Sequence, residues 1–386
     1  VQQPYVFVIN SLVGGGAERV MARILCNAAD HAGAHPLHLV LLDIEPPAYE
    51  VPGFVTVHQL DTGGSTLKGI LGLYRLLSKL RPRACLSFLT RSNMIAVIVC
   101  RLLSIRCVIS ERVHSTSHHG NSIPGRAAKI LTRLLYPRAD AVIAVSDGIA
   151  DDLSDNYGVD RDKIITIPNP IDEVSTRQMA AAPTELSVTR PLIVAMGRLV
   201  PNKNFSMLIE AFAKSQIKGT LIIMGEGPKR AALTAQIDAL SGKGRVQLPG
   251  FLANPFAIVA SADCYVLPSN GEGFPNGLIE AMILGRPVIA TNCHSGPSEI
   301  LADRPYFEIN AVHEAPYGVL VPTNDPGAMA EALQKVLAPG EFGDRSTRAL
   351  KGAQRYQLGP TVARYFQVLD PERHIEAASP ALRQVN

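Results

Sequence analysis

The sequence predicts an α/β protein built from two consecutive doubly wound, Rossmann-like domains. Short, nearly continuous apolar runs alternate with helical patterns, as expected of a parallel sheet covered on both faces. The alternation stops in a stretch rich in Pro, Ala, Ser and Thr and then begins again, which divides the chain in two. A length of 386 residues with 47% hydrophobic content is enough for two domains of ordinary size.

In the first half the strand-like runs are Tyr5–Asn10, Leu37–Asp43, Val55–Leu60, Ala84–Leu89, Ile105–Ser110 and Ala141–Val145. Helical patterns cover Ala17–Ala29, Leu67–Leu80, Met94–Leu103, Arg126–Leu135 and Gly148–Ser154. The break from Pro168 to Pro191 reads as an interdomain linker. In the second half the strands are Leu192–Ala195, Thr220–Met224, Val246–Leu248, Asp263–Leu267, Pro287–Ala290 and Gly318–Val321. The helices are Phe205–Lys214, Lys229–Leu240, Gly277–Leu284 and Gly327–Leu337. The expected division is therefore residues 1–170 as a first domain, 171–190 as linker and 191–358 as a second domain. Residues 359–386 form a helix and tail, for which a return to the first domain is one placement. In such a pair a ligand belongs at the carboxyl ends of the strands, in the cleft between the domains.

Composition narrows the class of function. The net charge of +3 gives no argument for nucleic acid. The six cysteines show no C-x-x-C pair and lie mostly in apolar runs, so they read as buried free thiols of a reducing compartment rather than as zinc or disulfide ligands. No segment has the pattern of a secretory signal, and the apolar stretch Met94–Cys100 is too short to span a bilayer.

The most informative segment is Glu272-Gly-Phe-Pro-Asn-Gly-Leu-Ile-Glu280. It follows the apolar run Cys264–Pro268, passes through turn chemistry and enters a helix at Gly277. Glu272 therefore sits on a loop over a helix N-terminus, where free N–H groups attract anions, and Glu280 lies in the opening turns. Two carboxylates beside an anion site suit a ligand with hydroxyls next to phosphates, such as a nucleotide sugar. Gly197-Arg198-Leu199 ends the first strand of the second half, with Lys203 five residues after Arg198. The two cations read either as a clamp for a departing diphosphate or as solvated surface charges. Gly225-Glu226-Gly227-Pro228 and Gly250-Phe251-Leu252 close two further strands, the latter able to read the edge of a base. Gly14-Gly15-Gly16 opens the first helix without completing G-x-G-x-x-G, since its last position is Arg19.

Taken in order, these pieces resemble glycosyltransferase family 4, a group of retaining transferases with the GT-B fold. The matching residues are Gly14–Arg19, Gly197-Arg198-Leu199 with Asn202-Lys203-Asn204, Gly225–Pro228, Pro249-Gly250-Phe251, and Glu272 to Glu280 with Ala281-Met282. The resemblance implies that Glu272 bonds the donor sugar's hydroxyls and that Phe274, Pro275, Asn276 and Gly277, with Leu278, hold the sugar and distal phosphate. It implies Glu280 at the ribose, Phe251 and Leu252 at the base, and Arg198 and Lys203 on the diphosphate, with Gly197, Gly225 and Gly227 lining the donor site. Gly15 and Gly16 would let the first domain approach the donor. The implied chemistry is front-face transfer with retention, in which Arg198, Lys203 and Glu272 matter most; Glu272 as a covalent nucleophile is a minority alternative. No metal or other cofactor is implied, and a UDP-sugar is the expected co-substrate. The expected activity is transfer of a hexose or N-acetylhexosamine to a saccharide on a polyprenyl diphosphate. A GDP-mannose-dependent transferase is the first alternative, and a nucleotide-sugar epimerase or hydrolase the second.

The sequence departs from many members of the family after its fifth strand. It reads Ser110-Glu111-Arg112 with His114 two residues on, a form that looks like the branch acting on polyprenyl diphosphates. Arg112 and His114 are acceptor-side candidates; His114, His118 and His119 could each enter the site and each reads equally as an ordinary loop residue. Between Gly64 and Ala139 there are thirteen Lys and Arg and one acid, Glu111. Lys68, Arg75 and Lys79 share one face of a helix, with Leu67, Ile70, Leu71, Tyr74 and Leu77 on another. Arg126, Lys129 and Arg133 recur at helical spacing beside Ile130, Leu131, Leu134 and Leu135. Such a surface suits anionic lipid headgroups or a lipid-linked diphosphate; ordinary helices with basic outer faces are the alternative. The expected location is cytoplasmic, peripheral on the inner face of the plasma membrane.

Overall fold

A computed structural model describes residues 2–112, 123–184, 188–240 and 244–372. The chain forms two compact units, Val1–Pro170 with Leu358–Asn386, and Ile171–Gln357.

Among the described residues the first unit has a seven-stranded sheet of β1 (Tyr5–Ile9), β2 (Leu37–Leu41), β3 (Val55–Gln59), β4 (Ala84–Phe88), β5 (Arg106–Glu111), β6 (Ala141–Ala144) and β7 (Ile164–Thr166). The strand order is β3-β2-β1-β4-β5-β6-β7, and every pair is parallel. All residues of β1 and β4 are buried, which is why they read as unbroken apolar runs, whereas edge strand β3 is largely exposed. The helix Leu358–Leu369 packs into this unit's core through Val362, Tyr365, Phe366 and Leu369. Asp370 anchors its end by accepting from Tyr5 Oη at 2.6 Å and from the Arg83 guanidinium.

The second unit repeats the plan with β8 (Leu192–Met196), β9 (Thr220–Met224), β10 (Val246–Gly250), β11 (Cys264–Leu267), β12 (Val288–Thr291), β13 (His313–Ala315) and β14 (Gly318–Val321). The order is β10-β9-β8-β11-β12-β14-β13. All pairs are parallel except β13 with β14, an antiparallel edge. Both units are Rossmann-like, the arrangement of the GT-B class.

Three features differ from the sequence reading. The stretch taken as linker contains a helix, Glu173–Ala180, whose N-cap Asp172 accepts from Ser175 N and which belongs to the second unit. It was hidden because its one buried residue is Thr176, so it shows no apolar stripe. Cys26 is exposed, while the other five free cysteines are buried. On the helix Thr66–Leu80 the inward residues are Gly69, Leu73 and Leu77. Leu67, Leu71 and Tyr74 point to solvent with Lys68, Arg75 and Lys79, so apolar and basic side chains share the outer face.

Candidate active site

In a doubly wound sheet a ligand site forms where the strand order reverses, because the loops leaving the two strands there diverge and open a crevice. In the second unit this point lies between β8 and β11. The loop after β8 ends in a short 3-10 turn, Pro201–Lys203. The loop after β11 carries Glu272. The two meet across the reversal, with Lys203 Nζ 2.5 Å from Glu272 Oε1. The lysine side chain is 25% exposed and the glutamate 10%, so a polar ligand has access to a pair that is only partly solvated. Such a pair contributes little to stability, but it holds one cation and one anion in a defined place.

The loops are joined along their length. Asn202 Nδ2 donates to Gly271 O at 2.6 Å, and Asn270 N donates to Asn202 O at 2.8 Å. Asn204 Nδ2 donates to Asn270 Oδ1 and Asn324 Oδ1 at 3.0 and 2.9 Å. The loop after β12 reaches the same place, where Ser295 Oγ donates to Glu272 O. Asn202 and Asn204 were visible in the sequence as neighbours of Lys203. Ser295 carried no signal beyond a turn-like Ser-Gly-Pro. Beneath the pair lies Cys293, whose thiol is pushed up to about 12, by burial first and then by the Glu272 charge. It is therefore a neutral packing group.

Directly after Glu272 the chain enters the helix Asn276–Ile283, whose N-cap Pro275 supplies no side-chain cap. The side chain of that N-cap residue does not compete for the leading N–H groups, and a helix N-terminus favours an anion. Phe274 is buried edge-on against Tyr356, at 5.2 Å between ring centroids, which fixes the entry to the helix. Leu278 is fully buried. Gly277 leaves room for a neighbour: a Cβ there would lie 2.7 Å from Tyr265 Oη and 2.9 Å from Met196 Cε. Glu280, expected at the ribose, is 0% exposed and lies within this helix, enclosed by its neighbours. Among the described residues the pair at the surface is Lys203 with Glu272, not Glu272 with Glu280.

Arg198 is exposed and has no ion-pair partner among the described residues. Gly225 and Gly227 owe their identity to packing. At φ +136° and +158°, a Cβ would lie 2.0 Å from Gly197 O at the first and 2.5 Å from Leu199 O at the second. These contacts accompany Gly197 N to Met224 O and Leu199 N to Glu226 O bonds of 2.9 and 2.8 Å, which bring the two loops side by side. Phe251 is 75% exposed at the end of β10, and Leu252 is half-buried.

In the first unit Gly16 opens the helix Gly16–Cys26 and Gly15 is its N-cap. The Glu18 carboxylate lies over this turn, since a Cβ on Gly15 would come within 2.1 Å of Glu18 Oε2. Arg112 is a correction: it is buried. Its guanidinium donates to Tyr365 Oη at 2.8 Å and to Asn169 Oδ1, and lies 4.7 Å from the Phe88 ring centroid. It joins β5 to the C-terminal helix instead of facing an acceptor. Glu111 accepts from Tyr136 Oη at 2.6 Å, equally buried. His114, with His118 and His119, lies outside the described residues. Arg126 and Arg133 are exposed and Lys129 half-buried on the helix Ile123–Leu135.

Family models match both halves of the chain, "Glycosyltransferase Family 4" over residues 14–174 and "Glycosyl transferases group 1" over 190–339. The chain is 30% identical over 342 residues to a Campylobacter jejuni enzyme, the N-acetylgalactosamine-N,N'-diacetylbacillosaminyl-diphospho-undecaprenol 4-alpha-N-acetylgalactosaminyltransferase. That match covers 85% of this chain and 88% of the relative. The chain belongs to glycosyltransferase family 4. Solved structures agree on the fold of this transferase. The Anabaena protein HepE, in complex with UDP, superposes with a TM-score of 0.71 at 19% identity over 98% of this chain and 100% of that one. Sucrose-phosphate synthase from Thermosynechococcus elongatus does so with 0.77 at 17% identity, over 97% and 100%.

Proposed function

We propose that this transferase moves a hexose or N-acetylhexosamine, with retention, from a UDP-sugar to a saccharide carried on a polyprenyl diphosphate, without a metal ion. The observation that carries the reading is the Lys203–Glu272 pair at the strand-order reversal, beside the uncapped start of the helix Asn276–Ile283. A donor has a diphosphate beside a hydroxylated ring, and the site holds a cation and a carboxylate in contact, one suited to each. The lipid-linked acceptor is supported by the name of the Campylobacter relative, and UDP by the complex of HepE.

In this reading the donor diphosphate draws Lys203 away from Glu272 and, with Arg198 and the helix amides of Asn276 and Gly277, spreads its charge. Glu272 then bonds sugar hydroxyls, Phe251 and Leu252 flank the base, and Glu280 reaches the ribose only after local opening. An acceptor oxygen forms a bond to the anomeric carbon on the face from which the phosphate leaves. The bond from that carbon to the β-phosphate oxygen breaks, the acceptor proton passes to the departing phosphate, and UDP is released. Lys203 and Arg198 stabilise the charge that grows on the leaving group.

The outer face of the first unit supports action at a membrane surface from the cytoplasmic side. Leu67, Leu71, Tyr74, Leu102, Ile130, Leu131 and Leu134 are all exposed there, interspersed with Lys68, Arg75, Arg126 and Arg133. Apolar side chains that enter the headgroup region and cations that meet anionic lipid form the usual interfacial pattern. No described helix is long and apolar enough to cross a membrane.

The test is thermal unfolding against UDP-, GDP- and ADP-sugars, since a bound donor raises the midpoint by mass action. The expected result is a shift with a UDP-sugar that Lys203→Ala abolishes. A larger shift with GDP-mannose would move the assignment to mannosyl transfer.

A further inference from the structure

The loop bearing Glu272 is fastened by side chains from its neighbours. Three successive anchor points are carbonyls of this loop: Ser269 O accepts from Thr291 Oγ1, Gly271 O from Asn202 Nδ2 and Glu272 O from Ser295 Oγ. The last acts on the peptide of the functional residue itself. Ser295 is 1% exposed, so its hydroxyl faces little competition from water. The residue that follows, Gly296, has φ +92°, and a Cβ there would lie 2.7 Å from Pro275 Cδ and 3.2 Å from Gly273 O. Its N–H donates to Glu299 Oε1 at 3.3 Å, at the start of the helix Pro297–Leu301. The loop after β12 thus meets both ends of the segment 272–275, the Glu272 peptide and the entry to the next helix.

We infer that Ser295 is a positioning residue of this transferase, which fixes the Glu272 peptide so that its carboxylate meets the donor sugar in one orientation. The inference rests on the donor-site reading of Lys203 and Glu272. Donor recognition is sensitive to misplacement by about 1 Å, and losing this hydrogen bond removes the anchor on the Glu272 peptide itself while those at Ser269 and Gly271 remain.

A positioning role makes a prediction that a general packing role does not. Glu272 serves the sugar, so loosening it weakens a UDP-sugar and leaves UDP alone. The experiment is titration calorimetry with UDP and with UDP-N-acetylgalactosamine on wild type, Ser295→Ala, Glu272→Gln and the double variant. Expected is a roughly fivefold to tenfold loss for the UDP-sugar in Ser295→Ala, with UDP within about twofold. Adding Ser295→Ala to Glu272→Gln is expected to cost less than about twofold more, since the two act through one group. Equal losses for both ligands, or fully additive losses, would overturn the role. Ser295→Cys keeps the volume and weakens the donor, and it gives the same reading if the alanine variant fails to fold. Wild type binding neither ligand would remove the donor-site reading and this inference with it. Loss in Glu272→Gln with no effect of either Ser295 variant would remove this inference alone.

Discussion

The strand ends of the two units place charged residues differently on the same sheet plan. In the second unit Lys203 and Glu272 stay near the surface, on loops held rigid by Asn202, Asn204 and Ser295. In the first unit Glu111 and Arg112, at the end of β5, are withdrawn into the core and spent on Tyr136, Tyr365 and Asn169. The first unit also keeps an ion pair at its strand ends, Arg91 with Asp43, whose side chains are 21% and 20% exposed, and it carries further cations on outward helix faces among exposed leucines. Shared topology thus gives both units charged residues at their strand ends, and burial decides residue by residue which of them are presented.

Four measurements test the contrast. The largest effect belongs to Lys203→Ala, which should lower the transfer rate at saturating donor by about a hundredfold to a thousandfold. Full turnover would end the diphosphate role. Next is charge reversal of Arg126, Lys129 and Arg133 to Glu. At about 1 kcal/mol for each lost attraction, binding to vesicles of anionic phospholipid should weaken by about a hundredfold while donor binding is unchanged. Retained vesicle binding would reject the membrane face.

Arg112→Met should cost about 2–3 kcal/mol of stability by leaving Asn169 and Tyr365 without their donor, seen in denaturant unfolding, with UDP-sugar affinity intact. An affinity loss without destabilisation would return Arg112 to the site. The smallest effect concerns His38 and His58, whose rings stack with Nδ1 of one 2.8 Å from Nε2 of the other. Burial lowers both below the ordinary 6.5, and at His38 the charge of His58 adds to it. Folding therefore favours the neutral rings. That contribution is complete above pH 6.5 and fades as the pH falls below it. The midpoint should drop by about 1–2 °C between pH 7.5 and 5.5, and less in His38→Gln.

Much of the fold was legible because the central strands are buried on both faces and so show as unbroken apolar runs. Tyr5–Ile9, Thr220–Met224 and Gly318–Val321 stand out for this reason. The edge strand β13, His313–Ala315, escaped because an edge needs no apolar run. In the site, Lys203, Glu272 and Gly277 were legible through residue type at strand ends. Ser295 was not, since a serine in a turn is ordinary until a particular carbonyl is found opposite it.

Two Rossmann-like units, the family, and the loops that bring a cation and a carboxylate to the strand ends follow from residue order alone, because periodicity and turn chemistry are local. The enclosure of Arg112 and Glu280, the outward face of Leu67 and Leu71, and the ties of Glu272 to Lys203 and Ser295 come from the folded arrangement. Those facts depend on which distant segments cover or approach a residue, and no spacing along the chain encodes that directly.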